Sequence, residues 1–154
     1  MAEVLFYHLE RAALEDVLPG LLEKTLERGW KAFLRVGSDE RAAALDAHLW
    51  TYRENSFLPH GLDRDAHAGE QPILLSAKSG NANEAQVLFF ADGAEPDDWA
   101  GPQLASAKRV VVVFDGRDPE AVERARSQWS DAKAGGHEIT YWQQAASGKW
   151  EKRA

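Results

Sequence analysis

The chain has 154 residues, 44% hydrophobic and 28% charged, with a formal net charge of −7 and no cysteine. This length and balance fit one soluble globular domain that buries roughly two-thirds of its unfolded surface without staples. The missing cysteine excludes disulfides, thiolate metal sites and thiol nucleophiles, and the acidic balance argues against broad non-specific nucleic-acid binding, which needs a basic footprint.

The first residues, MAEVLFYHLERAALED, lack the basic n-region of a signal peptide, and no apolar run nears the ~20 residues that span a bilayer. A cytoplasmic protein with no membrane partner is expected. Charge is uneven: residues 1–107 carry 9 Lys/Arg against 18 Asp/Glu, whereas residues 108–154 carry 9 against 7. This is either chance scatter or the mark of an acidic partner docking near the C-terminus.

Val4 to Tyr7 reads as a short strand. From about Arg11 to Arg28, Leu14, Leu18, Leu21, Leu22 and Leu26 recur at helical spacing, with Pro19 expected to kink or restart the helix and Gly29 to stop it. Lys31 to Val36 reads as a strand, and Ser38 or Asp39 caps a helix running to about Trp50. Thr51 to Glu70 has little periodicity, and a structureless stretch this long tends to be functional. Ile73–Leu75 and Val87–Phe90 are short strands flanking the turn at Ser79–Asn83, and Asp92 to Lys108 is loop with at most one helical turn. In Arg109–Phe114 four consecutive valines do not alternate with polar residues, so both faces are expected to be buried, as in a parallel sheet. Asp118 as N-cap and Pro119 at the first helical position start a helix that runs to about Ala134 and stops at Gly135-Gly136. Glu138 to Trp142 is a last strand. The expected fold class is α/β: a single three-layer domain over residues 1–146, with a mainly parallel sheet, helices on both faces and Rossmann-like topology, followed by a polar tail at 147–154.

Such a fold invites a nucleotide, but the turn after the first strand, His8-Leu9-Glu10-Arg11, has no glycine and carries an acid, and GxxxxGK[ST] is absent. His8, His48, His60, His67 and His137 form neither HxxxH nor HExxH, and no serine sits in GxSxG. No catalytic residue, metal site or cofactor is expected. The 6 tryptophans are the better lead. Trp99, Trp129, Trp142 and Trp150 fall in loop-like or late positions, where tryptophan is either core or an interaction hot spot.

Five stretches, in order, carry a resemblance: FYHL, the block LLEKTLERGWKAFLRVGSDERAAALDAHLWTYRENSFLPHG, QPILL, RVVVVFDGRDPEAVERARSQW and GHEITYWQQ. Together they resemble the chi subunit of DNA polymerase III. The most specific elements are Leu45-Asp46, Leu49-Trp50 and Ser56-Phe57 followed by Pro59-His60, and the helix pattern Arg126, Trp129, Lys133 and Gly136. The resemblance implies a non-catalytic part of the replicase that links the clamp loader to single-stranded-DNA-binding protein by gripping that protein's acidic C-terminal tail. Nucleic acid is then met only indirectly. It also implies, in some bacteria, a psi partner docking at Trp50, Phe57, Pro59 and His60, of which Phe57 and Pro59 sit in a loop that leaves an apolar pair exposed.

Helical spacing from Pro119 places Val122, Arg126, Trp129 and Lys133 on one stripe beside a small face of Ala121, Ala125 and Ala132. An acidic peptide ending in an apolar residue needs an apolar pocket beside cations. Under the resemblance Arg126 holds the terminal carboxylate, Trp129 and Val122 wall the pocket, and Arg124 and Lys133 meet acidic side chains. The plain alternative is a solvated amphipathic face, its cations screened by Glu120, Glu123 and Asp131. Val122 and Ser130 depart from the family by standing where a lysine would strengthen the grip, and the tail from Lys149 to Arg153 either adds charge or is disordered. Two other readings compete with an interaction module: a small nucleotide-dependent α/β enzyme, disfavoured by the missing glycine loop, and a single-strand nucleic-acid binder, disfavoured by net charge.

Overall fold

In the computed structural model, residues 2–51 and 58–153 are described. The strands are β1 (Glu3–Leu9), β2 (Ala32–Arg35), β3 (Gly61–Leu62), β4 (Ile73–Ser76), β5 (Val87–Phe90), β6 (Arg109–Asp115), β7 (Glu138–Gln144) and β8 (Trp150–Lys152). The helices are α1 (Leu14–Glu27), α2 (Asp39–Thr51), α3 (Pro102–Ser106) and α4 (Pro119–Ala134). One sheet runs β3-β4-β2-β5-β6-β1-β7-β8. Every pairing is parallel except β7 with β8.

The valine run explains the layering. Val111 and Val113 face one core, with Leu18 and Leu22 of α1 and Leu45 and Leu49 of α2. Val110, Val112 and Phe114 face the other, with Leu104 of α3 and Ala125 and Ala132 of α4. The side-chain period of two sends alternate residues to opposite faces, and both are covered, so no polar residue is needed. β6 lies inside the sheet, between β5 and β1, as its sequence requires.

Three segments differ from expectation. Pro19 neither ends nor restarts α1; it is buried within one continuous helix. The stretch from Thr51 to Glu70 is not structureless, because Gly61–Leu62 adds a parallel edge to β4 and Ala68–Glu70 forms a 3-10 turn. Most consequentially, Trp150–Lys152 is not a free tail. It pairs antiparallel with β7, Trp142 facing Lys152 and Gln144 facing Trp150, and the Trp150 ring meets Tyr7 edge-on at 5.1 Å. The hairpin is sequence-local, so antiparallel pairing is cheap to close.

Candidate functional site

Helix α4 is fixed at its start by Asp118, whose carboxylate accepts from the Glu120 N–H at 3.0 Å, with Pro119 pre-set for the first turn. Gly136, at φ +81°, supplies the left-handed residue past its end. Ala125, Gln128 and Ala132 are buried against the sheet. The small alanines were expected there; Gln128 was not.

The neighbouring face of α4 forms one wall of a groove of about 410 Å³, lined by Val122, Ala125, Arg126, Trp129 and Ser130, with Tyr141 from β7 and Arg153 beyond β8 opposite. Its floor is aromatic. Trp129 meets Tyr141 at 5.6 Å and Phe6 at 5.7 Å, so one part of the indole is core and another is groove wall. The Tyr141 hydroxyl shares a hydrogen bond with His8 Nδ1. Burial raises the Tyr141 phenol above its usual value, an effect that the Arg126 charge partly offsets, so the groove presents a neutral ring beside a cation.

Three of the five residues expected to bind a tail, Val122, Arg126 and Trp129, therefore meet in one place. Arg124 does not. It turns to the other side of α4 and lines a separate cleft of about 320 Å³ at the carboxyl ends of the strands, with Arg41, Asp92 and Gly93. Lys133 is exposed on α4 but outside the groove lining. Tyr141 and Arg153 were not singled out from sequence. The signals were there: Ser147-Gly148 is a turn between two alternating runs, which marks a hairpin that carries the last cations back to β7.

The cleft is where an open α/β sheet usually takes its ligand, and several of its charges are engaged with one another. Arg41 bridges Glu15 at 2.8 Å and Asp92 at 3.2 Å, and Arg117 pairs with Asp115 at 3.0 Å. The turn after β1 does offer the row of backbone N–H groups that could cradle an anion. Those of Glu10, Arg11 and Ala12 all donate to one atom, Gln144 Oε1, at 3.2, 2.8 and 3.0 Å. A side chain of the protein sits where a phosphate would be held. Among the described residues no group of three or more His, Asp or Glu side chains is arranged to hold a metal ion, and no helix is long and apolar enough to cross a membrane.

The second expected surface is only partly a surface. Trp50 is 49% exposed at the end of α2 and Pro59 is half-buried, but His60 is 3% exposed. Its ring lies under Trp50, centroids 4.2 Å apart, with Nδ1 against the Leu58 carbonyl and Nε2 at 3.0 Å from the Asp46 carbonyl. His60 supports Trp50 rather than facing a partner. Phe57 lies outside the described residues.

Residues 1–140 match the family model described as DNA polymerase III chi subunit, HolC. The chain is 27% identical over 114 residues to "Probable DNA polymerase III subunit chi" of Rickettsia prowazekii, covering 74% of this chain and 66% of that one. It is 30% identical over 93 residues to DNA polymerase III subunit chi of Pseudomonas aeruginosa, covering 58% of this chain and 63% of that one. The chain thus spans just under two-thirds of the length of each of these relatives. A match to the family model over nearly the whole sheet, β1 into β7, outweighs the modest pairwise identities, and the chain belongs to the DNA polymerase III chi subunit family.

Proposed function

We propose that this protein acts in DNA replication as an accessory subunit of the polymerase III holoenzyme, joining the replicase to single-stranded-DNA-binding protein in the cytoplasm and carrying no catalysis of its own. The observation that carries this is the groove floored by Trp129 and Tyr141, with Arg126 in its lining. An apolar pocket beside a cation fits a peptide that ends in an apolar residue with a free carboxylate, because a guanidinium takes a carboxylate bidentately. Lys133, about two turns beyond Arg126, meets acidic side chains further up such a tail.

The test is calorimetric titration of the full chain with three ligands: an acidic peptide with a free apolar C-terminal residue, ATP, and a single-stranded oligonucleotide. Binding of the peptide alone is expected, weakening as salt rises. Arg126→Ala should lower peptide affinity about thirtyfold, on the order of 2 kcal/mol, while leaving stability within about 0.5 kcal/mol, as for other surface sites. Equal affinities would remove the site.

A second contact, to a psi subunit or directly to the clamp loader, is proposed at Trp50 and Pro59, with Phe57 beside them in sequence. It rests on the exposure of Trp50, 49% even with its ring against His60, tryptophan being enriched at interaction hot spots. Loss of pull-down of the clamp-loader complex by Trp50→Ala, with tail binding intact, checks it.

A further inference from the structure

We propose that Arg153 is the second cation of the α4 groove, brought there by β8, and that it takes a carboxylate of the acidic tail alongside Arg126. This rests on the tail-binding reading above and extends it to a segment outside the family match, which ends at residue 140.

Inside the groove the helix supplies one charge. Of its residues in the groove only Arg126 is charged; Val122 and Ser130 are neutral, and Arg124 and Lys133 lie outside the lining. The deficit is met from the sheet. In the β7–β8 hairpin Trp142 stands opposite Lys152, so Arg153 stands opposite Tyr141, and its N–H donates to the Tyr141 carbonyl at 2.8 Å. Alternation along the strand then sorts the side chains. Trp150 packs with Tyr7 on the α1–α2 face and anchors the strand. Glu151 and Arg153 fall on the α4 face, where Arg153 closes the groove opposite Arg126.

Arg153 is available. Among the described residues it pairs with Glu151 at 3.3 Å, the two side chains 52% and 48% exposed. A solvent-exposed pair of this kind holds its partners weakly, so an incoming carboxylate can displace Glu151. A tail brings at least two carboxylates, its terminus and an acidic side chain, and two guanidiniums on opposite walls match that number. The groove thus becomes a two-walled clamp, with the apolar terminal residue resting on the Trp129 and Tyr141 rings that form its floor.

The experiment is calorimetry on the full chain with a synthetic acidic peptide ending in an apolar residue with a free carboxylate, with thermal melting of each variant. Arg153→Ala is expected to weaken binding roughly 5- to 20-fold, to flatten the salt dependence, and to leave the melting temperature unchanged. Arg153→Lys should recover part of the loss, and Glu151→Gln should tighten binding a few-fold by freeing the guanidinium. If Arg126→Ala weakens binding but Arg153→Ala and Glu151→Gln match wild type, the clamp is wrong and the α4 site stands. If neither arginine variant weakens binding, the clamp and the α4 site both fail.

Discussion

His48 on α2 donates through Nε2 to the backbone carbonyl of Glu15 on α1 at 2.8 Å. That carbonyl is the one Pro19 leaves without a helical partner, since proline has no N–H to return four residues back. The histidine replaces the missing bond from a neighbouring helix, and the helix continues through the proline. His48→Ala should cost about 1–2 kcal/mol in urea unfolding. In a Pro19→Ala background, which restores the helix's own N–H, the same change should cost distinctly less. A double-mutant cycle with no coupling would show that the two residues do not serve one carbonyl.

The Gln144 plug makes a second prediction. Gln144→Ala strips three part-buried backbone N–H groups of their shared acceptor, and should destabilise by about 1–2 kcal/mol, since water can reach some of the freed donors. Gln144→Glu keeps an acceptor at the same reach and should retain most of the stability. Chemical denaturation of the two variants side by side separates loss of the acceptor from loss of packing.

Gly116 has no room for a side chain. A Cβ there would lie 1.9 Å from His8 Nε2 and 2.7 Å from the Leu9 carbonyl. Gly116→Ala must push the end of β6 away from β1, and a loss of about 1–3 kcal/mol is expected, as for overpacking elsewhere. Because His8 also holds Tyr141, the same variant should weaken peptide binding, which calorimetry reads independently of the melt.

His60 and Trp50 should separate cleanly. His60→Ala opens a cavity under Trp50 and removes the ring's contacts with the Leu58 and Asp46 carbonyls, at about 2–4 kcal/mol. Trp50→Ala removes an exposed ring and should cost under about 1 kcal/mol. Thermal melts of both variants test this ranking.

Acid should loosen the α1–α2 contact. The Arg41 hydrogen bond holds the Glu15 carboxyl below its ordinary value, and the Arg117 backbone N–H does the same for Asp115. Both folded values are depressed, so the stability they contribute is present above the ordinary carboxylate values and lost as pH falls through the folded ones. Both groups are well exposed, so each contributes no more than about 1 kcal/mol. Burial raises Asp46 instead, so its contribution runs the other way and is lost as pH rises. Urea unfolding between pH 7 and pH 3 should therefore show a shallower acid loss for Arg41→Met and a steeper one for Asp46→Asn.

What sequence could supply depended on distance along the chain. The valine run of β6, the cap of α4 and the spacing of Val122, Arg126, Trp129 and Lys133 are local; the first three of those side chains line one groove and Lys133 lies outside it. Arg124 was grouped with them although two residues of helix rotate a side chain by about 200°, and the structure sends it to the other side of α4. Tyr141 and Arg153 reach the groove through strand register, and no spacing within α4 encodes that. His60 gave no sign of burial, because its partners are main-chain carbonyls, and a carbonyl is present at every residue.

The placement of β1 governs the order of assembly. Its neighbours are β6 and β7, and Leu9 is 100 positions ahead of Arg109, where β6 begins. At ~5–20 residues per second, a ribosome leaves this apolar strand waiting on the order of 5–20 s for its first partner. Meanwhile α1, β2, α2, β4 and β5 can gather beside it, since their pairings are nearer in the chain. The last third of the protein then does two jobs at one time: it closes the sheet around the first strand, and it builds both walls of the groove. A nascent chain halted before residue 109 would have neither, and would carry Val4, Leu5 and Phe6 uncovered.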